Sequence, residues 1–522
     1  MPDVPSSDLR SRVRAAEQEV RELFDAAVRE NRTSGITWAL IGGHGHDKAV
    51  LTHGAAGHRH LQDGRPVPGS AAMDRGTISR IASMSKSFTA AAILALRDEG
   101  RLRLDDAAAD HVPEAAGITP ATPDSPPVTI RQLLSMSAGF VTDNPWGDRQ
   151  QAMSRERFAE VLGGDLGHVH RPGTGFEYSN TGYALLGRII DEVTGRSYDD
   201  YIIDRFLRPL GMRDSAYDLA QVDEDRVAIG HRLADRTDAT RFEPLPFDGP
   251  GVYGAMAGVF STVDDIATWV RFLASADRPD AAELPAPWDG SLLSTASRRE
   301  MQQLHRIQET GSLPAGENGV SPGFDRVRGY GFGLVIERFP DLGEVISHSG
   351  GYPGYGSFMV WHRDTGLGLV ALANSKYAPA VPLCMQALRA LHRHVPRMLA
   401  PARVTPAERT EQAAEAMLQW LRTGDDALAD AWFADNMDLD QPRDERLRRR
   451  DAALATAGRD LSSLEGLTVA DARPVSRAHL RWDLPAQTEG GTRMRIDLLM
   501  DPRREARVQA LDTTNPAPTP QG

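Results

Sequence analysis

Ser83 and Lys86 stand three residues apart in Ser83-Met84-Ser85-Lys86, a spacing that on a helix sets the amine beside the hydroxyl. A serine hydroxyl becomes a nucleophile when a neighbouring base takes its proton. A helix N-terminus adds backbone donors and positive potential that favour a neutral lysine and an oxyanion. The chemistry indicated is acyl transfer through a covalent Ser83 intermediate. Cation usage singles out the lysine: of 59 basic residues three are lysine, Lys48, Lys86 and Lys376, leaving 56 arginines. A guanidinium keeps its proton in a protein whereas a desolvated amine can lose it, so a base is where arginine fails. A surface helix with an incidental lysine is the bland alternative, and the scarcity of lysine weakens it.

Two further clusters could join this pair. Tyr178-Ser179-Asn180 follows the turn Arg171-Pro172-Gly173-Thr174-Gly175 and precedes a helix starting near Thr181. A phenol beside a protonated lysine has its anion stabilised, so Tyr178 could pass a proton between Ser83 and a leaving group while Asn180 orients a substrate amide. A capping asparagine beside a packed tyrosine is the default reading of the same residues. His348-Ser349-Gly350-Gly351 follows an apolar strand, and its glycines permit close backbone approach by a ligand. The amide of Gly351 could then pair with that of Ser83 as an oxyanion hole, with His348 donating or accepting at the acyl group. A structurally satisfied histidine is the plainer alternative. Phe140 and Trp146 are candidates for an acyl pocket or for packing.

These residues need elements to hold them. Met1–Asn31 reads as a polar amphipathic helix with Leu9, Val13, Val20, Phe24 and Val28 on one face. Ile36–Ile41 and Ala49–Gly54 flank a hairpin turn, Gly42–Lys48. Thr77–Ala82 leads into Ser83, and Phe88–Leu96 continues with helical spacing until Gly100. Residues 102–250 read as a mainly helical insert, including Ile130–Met136 and Tyr183–Val193. Strands return at Gly331–Glu337, Glu344–Ser347, Ser357–His362 and Leu367–Ala373, before a helix near Val381–His394. The sheet is thus built from both ends of a catalytic region spanning 8–395. A Pro-rich linker, 396–406, leads to an α+β domain over 407–515, followed by a tail, 516–522. In that domain Glu408–Leu421, Ala427–Ala434 and Asp444–Ala457 read as helices and Leu467–Ala472, Ala478–Leu484, Met494–Leu499 and Val508–Leu511 as strands. Trp420, Trp432, Phe433 and Trp482 form its expected core.

Composition narrows the function classes. At 522 residues the chain exceeds one ordinary core, and a net charge of −13 with mixed signs offers no basic surface for nucleic acid. No apolar stretch approaches the roughly 18 residues of a membrane span, and the first helix lacks the apolar core of a signal peptide, so a cytoplasmic protein is expected. The single cysteine, Cys384, excludes an internal disulfide and reads as a small buried residue. The pairs His44/His46, His58/His60 and His168/His170 lack metal-site spacing, so no metal is expected. Asp105/Asp106 and Asp264/Asp265 read as helix starts, because adjacent side chains do not converge on one site.

Taken in order, Ser83-x-x-Lys86, Tyr178-x-Asn180 and His348-x-Gly350 resemble the penicillin-recognising serine hydrolases: class C β-lactamases, D-alanyl-D-alanine carboxypeptidases, D-aminopeptidases and family VIII esterases. Leu102–Asp106, Thr129–Leu134, Pro209–Met212 and Gly258–Asp265 are similar to segments of that family. The resemblance covers residues 10–395 and implies an α/β (α+β) fold, an antiparallel sheet flanked by helices and joined to a helical subdomain. It implies Ser83 as nucleophile, Lys86 as base, Tyr178 as proton shuttle, Asn180, Gly350 and Gly351 as substrate contacts, and His348 as substrate or oxyanion support, with no cofactor. The family's β-lactamases and carboxypeptidases carry lysine where this chain has His348, which is mostly neutral at pH 7. Esters or amides of small or peptidic substrates are therefore expected ahead of β-lactams or terminal D-alanine. Acyl transfer to an amine, as in a peptide cyclase, and slow covalent binding by a sensor are the other outcomes of this chemistry. The C-terminal domain weakly resembles the cone-shaped domains attached to some of these hydrolases.

Overall fold

Strand Gly35–Ile41 is buried along its whole length, with Trp38 and Leu40 facing one core and Ala39 and Ile41 the other. Such a strand needs cover on both faces. It receives it inside an eight-stranded sheet. The spatial order is Val50–Gly57, Gly35–Ile41, Gly368–Ala373, Tyr355–His362, Gly343–Tyr352, Val335–Phe339, Phe324–Tyr330 and Arg306–Leu313, every neighbour antiparallel. The pairing Ile36↔Ala373 closes the N-terminal hairpin onto the last strand of the sheet. The computed structural model describes residues 6–516 apart from 45, 165, 279, 314–323, 377, 401–403 and 488–491.

Helices Ser6–Arg29 and Ala380–His394 cover one face. Ala16, Val20, Phe24 and Ala27 are buried there, with Phe24 stacked on Trp38 at 5.1 Å between ring centres. Burying a side chain of this size contributes about 1.5–3 kcal/mol. Cys384 belongs to the same core, and burial pushes its thiol up. Helices Lys86–Asp98 and Val263–Ala274 cover the opposite face, where Phe88 stacks on Trp269 at 4.1 Å. Between them come short helices, including Ile130–Leu134, Asn144–Gly147, Arg155–Gly163 and Asn180–Thr194, and small two-stranded pairs such as His231–Leu233 with Phe242–Pro244. The antiparallel sheet, its flanking helices and the helical subdomain are the fold class the sequence implies.

The chain divides into two compact units, Met1–Pro401 and Ala402–Gly522. The second has helices Glu408–Thr423, Asp426–Trp432 and Arg443–Thr456 and an antiparallel sheet ordered Arg473–Ser476, His479–Leu484, Met494–Met500, Val508–Thr514. Trp420, Phe433 and Trp482 are in its core, whereas Trp432 is partly buried beneath Arg409, 4.1 Å from the ring centre.

Three expectations are corrected. The strand expected at Gly331–Glu337 is split: Gly333, at φ 70°, turns the chain, and strand Val335–Phe339 follows. The hairpin of Arg306–Leu313 and Phe324–Tyr330 is additional, its polar sequence masking an edge position. Leu467–Ala472 is not a strand, because the Asp471 carboxylate accepts from Thr468 N at 2.8 Å and Thr468 Oγ1 at 2.7 Å and winds Val469–Asp471 into a 3-10 turn. The expected tail beyond residue 516 and positions 401–403 of the expected linker lie outside the described residues. Among the described residues no helix is long and apolar enough to cross a membrane.

Candidate active site

Ser79–Arg80 pairs with Phe260–Ser261, and Ile81 N donates to Val259 O at 2.9 Å, so the approach to Ser83 is held as an extended segment. Ala82 then turns at φ 50°, a left-handed conformation that costs a non-glycine residue about 1–2 kcal/mol. The turn starts the 3-10 segment Ala82–Ser85, which runs directly into helix Lys86–Asp98. Ser83 and Lys86 thereby face each other with Lys86 Nζ 3.1 Å from Ser83 Oγ.

The lysine is fully buried. Its Nζ also lies 2.7 Å from Asn180 Oδ1 and 3.1 Å from Met256 O. Burial brings its pKa down to about 7, against the opposing pull of the Asp148 and Asp143 carboxylates. A neutral amine has two N–H groups and one lone pair. Asn180 Oδ1 and Met256 O can only accept, so they take the two hydrogens and leave the lone pair for the Ser83 hydroxyl. Such an arrangement is a base poised on a nucleophile.

Tyr178 is half-buried, with its ring centre 5.0 Å from Lys86 Nζ and its phenol near enough to Ser83 to be influenced by it. Its phenol is pushed up by burial, so the anion is disfavoured and the group stands as a protonated donor, contrary to the expectation of a stabilised phenolate. Met136, at φ 55°, holds the loop: its carbonyl accepts from Glu177 N at 2.9 Å and its Sδ from Ser179 N at 3.3 Å. Ser179 caps helix Asn180–Thr194 by accepting from Gly182 N at 3.0 Å. The Asn180 amide, expected to contact substrate, is engaged at both ends, its Nδ2 donating to Asn144 Oδ1 at 2.9 Å. Its Oδ1 faces the Lys86 amine.

His348 departs furthest from expectation. Nδ1 lies 2.6 Å from Ser349 O, which makes it the protonated nitrogen, and Nε2 then accepts from Tyr330 Oη at 2.9 Å. Both nitrogens are occupied, so neither is left to donate or accept at an acyl group. Burial, with the Lys86 charge second, lowers its pKa to about 3, so the ring is neutral. Gly350 is buried against the nucleophile turn: a Cβ there would meet Ile81 O and Ser357 Oγ at 2.2 Å. Gly351 is exposed and has open space where a Cβ would stand.

Several residues of the site escaped the sequence. Asp143 accepts from Asn180 N and Thr181 N, each at 2.7 Å, fixing the start of the helix. Asp148, next after helix Asn144–Gly147, has its carboxyl pushed up to about 6 by burial. Tyr330 and the Met256 carbonyl complete the surroundings. Proline-interrupted loop residues and backbone carbonyls carry no spacing signal, although the run Asp143-Asn144-Pro145 is a cap signature. Phe140 is core, edge-on to His168 at 5.2 Å, while Trp146 is 44% exposed against Tyr253. Lys376 N donates to His231 O at 2.9 Å, and the Lys376 charge acts on Asp148. Asp264 pairs with Arg75 while Asp265 accepts from Ser215 Oγ at 2.7 Å, so these carboxylates diverge. Among the described residues no group of three or more His, Cys, Asp or Glu stands placed for a metal. A second serine pattern missed by sequence reasoning, Gly319-Val320-Ser321-Pro322-Gly323, has the form of a nucleophile elbow and lies outside the described residues. Among the described residues the strands on either side of it, Arg306–Leu313 and Phe324–Tyr330, pair antiparallel.

Sheet, helical subdomain and buried Ser-Lys-Tyr cluster define a β-lactamase-fold protein. The chain belongs to the Beta-lactamase family, which matches residues 20–392. It is 31% identical over 304 residues to Protein flp of Staphylococcus aureus (strain MW2), covering 57% of this chain and 53% of that protein. The chain spans about half the length of such curated relatives. In fold it is similar to an octameric penicillin-binding protein homologue from Pyrococcus abyssi, with a TM-score of 0.58 and 22% identity over 95% of this chain and 99% of that one. EstCE1, a hydrolase with promiscuous acyltransferase activity, shares the fold with a TM-score of 0.55 and 20% identity over 73% of this chain and 99% of its own.

Proposed function

We propose that this protein is a serine hydrolase that cleaves ester or amide bonds of small or peptidic substrates through an acyl-enzyme on Ser83, in the manner of an esterase or D-aminopeptidase. The carrying observation is the environment of Lys86 Nζ, whose two acceptor neighbours leave its lone pair to Ser83. In this reading Ser83 Oγ attacks the substrate carbonyl as its proton passes to Lys86. The oxyanion meets the amides of Ser83 and Gly351, at the start of a 3-10 turn and on a strand beyond the end of its pairing with Val335–Phe339. Tyr178, a protonated phenol beside Ser83, hands a proton to the leaving group and is resupplied by Lys86. Water then repeats the sequence to release the acid.

His348 supports esters and amides over β-lactams. A neutral ring with both nitrogens engaged offers no cation for a substrate carboxylate. Turnover of a p-nitrophenyl ester by a Ser83→Ala variant tests the reading. It is expected to fall by at least about a thousandfold, and a variant of ordinary activity would overturn it.

A further inference from the structure

Of the described carboxylates Asp143, Asp148 and Asp248 near the catalytic cluster, two are already used. Asp143 accepts from Asn180 N and Thr181 N at 2.7 Å, and Asp248 Oδ2 accepts from Tyr352 Oη at 2.6 Å. Asp148 differs: among the described residues its carboxylate accepts no hydrogen bond and joins no ion pair, although it is half-buried. Its position is fixed. The helix before it, Asn144–Gly147, is tied to Asn180 through Asn144 Oδ1, and a Cβ on Gly147 would stand 3.0 Å from Asn180 Cβ. From there its charge is felt by Lys86, Tyr178 and Tyr352, and at Lys86 more strongly than that of Asp143, while the Lys376 charge acts on it in turn. Asn180, on which that helix packs, holds Lys86 Nζ at 2.7 Å through its Oδ1, and Lys86 Nζ lies 3.1 Å from Ser83 Oγ, so Asp148 stands close to the nucleophile, where the neutral His348 supplies no counter-charge. A partly desolvated carboxylate that accepts no hydrogen bond is costly even with the Lys86 and Lys376 charges in range, and an ammonium group is a ligand that relieves it.

We propose that Asp148 recognises a protonated amine on the acyl donor, so that the site selects amino-acid and peptide esters or amides with a free amine over their N-acylated counterparts. This rests on the Ser83 hydrolase reading and narrows its substrate class. The rival role, tuning of Lys86 alone, acts on every substrate alike, whereas amine recognition acts only on charged ones.

The test measures kcat/KM at pH 7 for D- and L-alanine benzyl esters and their N-acetyl counterparts. The native protein is expected to favour the free amine of one or both enantiomers by about tenfold or more, the yield of a charge-assisted contact. Asp148→Asn should bring that ratio to within about twofold of unity while Asp148→Glu retains the preference. Asp148→Asn also shifts Lys86, but both esters share that shift and the ratio cancels it. A ratio unchanged by Asp148→Asn overturns the inference. Should that variant not fold, competitive inhibition of the native protein by alaninamide and N-acetylalaninamide decides: tighter inhibition by the free amine is expected, and equal inhibition overturns the proposal. Hydrolysis of the N-acetyl esters that survives Ser83→Ala would instead defeat the hydrolase reading itself.

Discussion

Lys86 is the residue on which the chemistry turns, and its burial has two measurable consequences. As the base it must be neutral, so with a pKa of about 7 the kcat/KM of an uncharged ester should rise with pH through about 7 and level off above it. Lys86→Arg should be as inactive as Lys86→Met, because a guanidinium cannot give up its proton. The second consequence is stability. Folding lowers the lysine's pKa from 10.5 to about 7, so between those values the unfolded chain binds a proton that the folded one does not. Stability therefore falls as pH drops from 10.5 towards 7 and changes no further below it. Denaturant unfolding of the native protein relative to Lys86→Met should show this as a difference of about 1.4 kcal/mol per pH unit across that window. A flat difference would contradict it. The Ser83–Lys86 pair was legible because a helix turns three spacings into one contact and because lysine is scarce here. Asp148 and the Met256 carbonyl were not, since a loop carboxylate and a peptide oxygen enter the site through tertiary packing alone.

At the scale of elements, the site depends on how tightly the Gly343–Tyr352 strand lies on the nucleophile turn. Gly350→Ala places a Cβ 2.2 Å from the backbone oxygen of Ile81, which can yield only if strand and turn separate. An activity loss of about a hundredfold is expected from steady-state kinetics, since displacements near 1 Å carry penalties of that order. Ala82→Gly acts on stability. It removes the strain of φ 50° but also a buried methyl and some restriction of the unfolded chain, so Tm should shift by the equivalent of less than about 1 kcal/mol, against a clear loss for a larger side chain there. The strands at both ends of the catalytic region were readable from their apolar runs, since helices bury both of their faces. The polar edge hairpin was not, because an edge strand is freed from the apolar pattern that reveals central ones. Asp471 likewise overrode the strand propensity of Leu467–Ala472 by capping its own turn.

At the scale of the molecule, the residues of the catalytic cluster all belong to the first unit, while Trp420, Phe433 and Trp482 belong to a core wholly within the second. Trp420→Ala should destabilise that core by about 3–5 kcal/mol, visible in calorimetry, while Ser83 remains able to react. Loss of acylation in step with unfolding of the second unit would contradict this independence. The central claim is a covalent bond to Ser83. Intact-mass and peptide-mapping spectrometry after rapid quenching with a p-nitrophenyl ester should find one acyl group on the peptide carrying Ser83, absent from Ser83→Ala. An acyl group on another residue, or turnover by the protein lacking the Ser83 hydroxyl, would contradict the account.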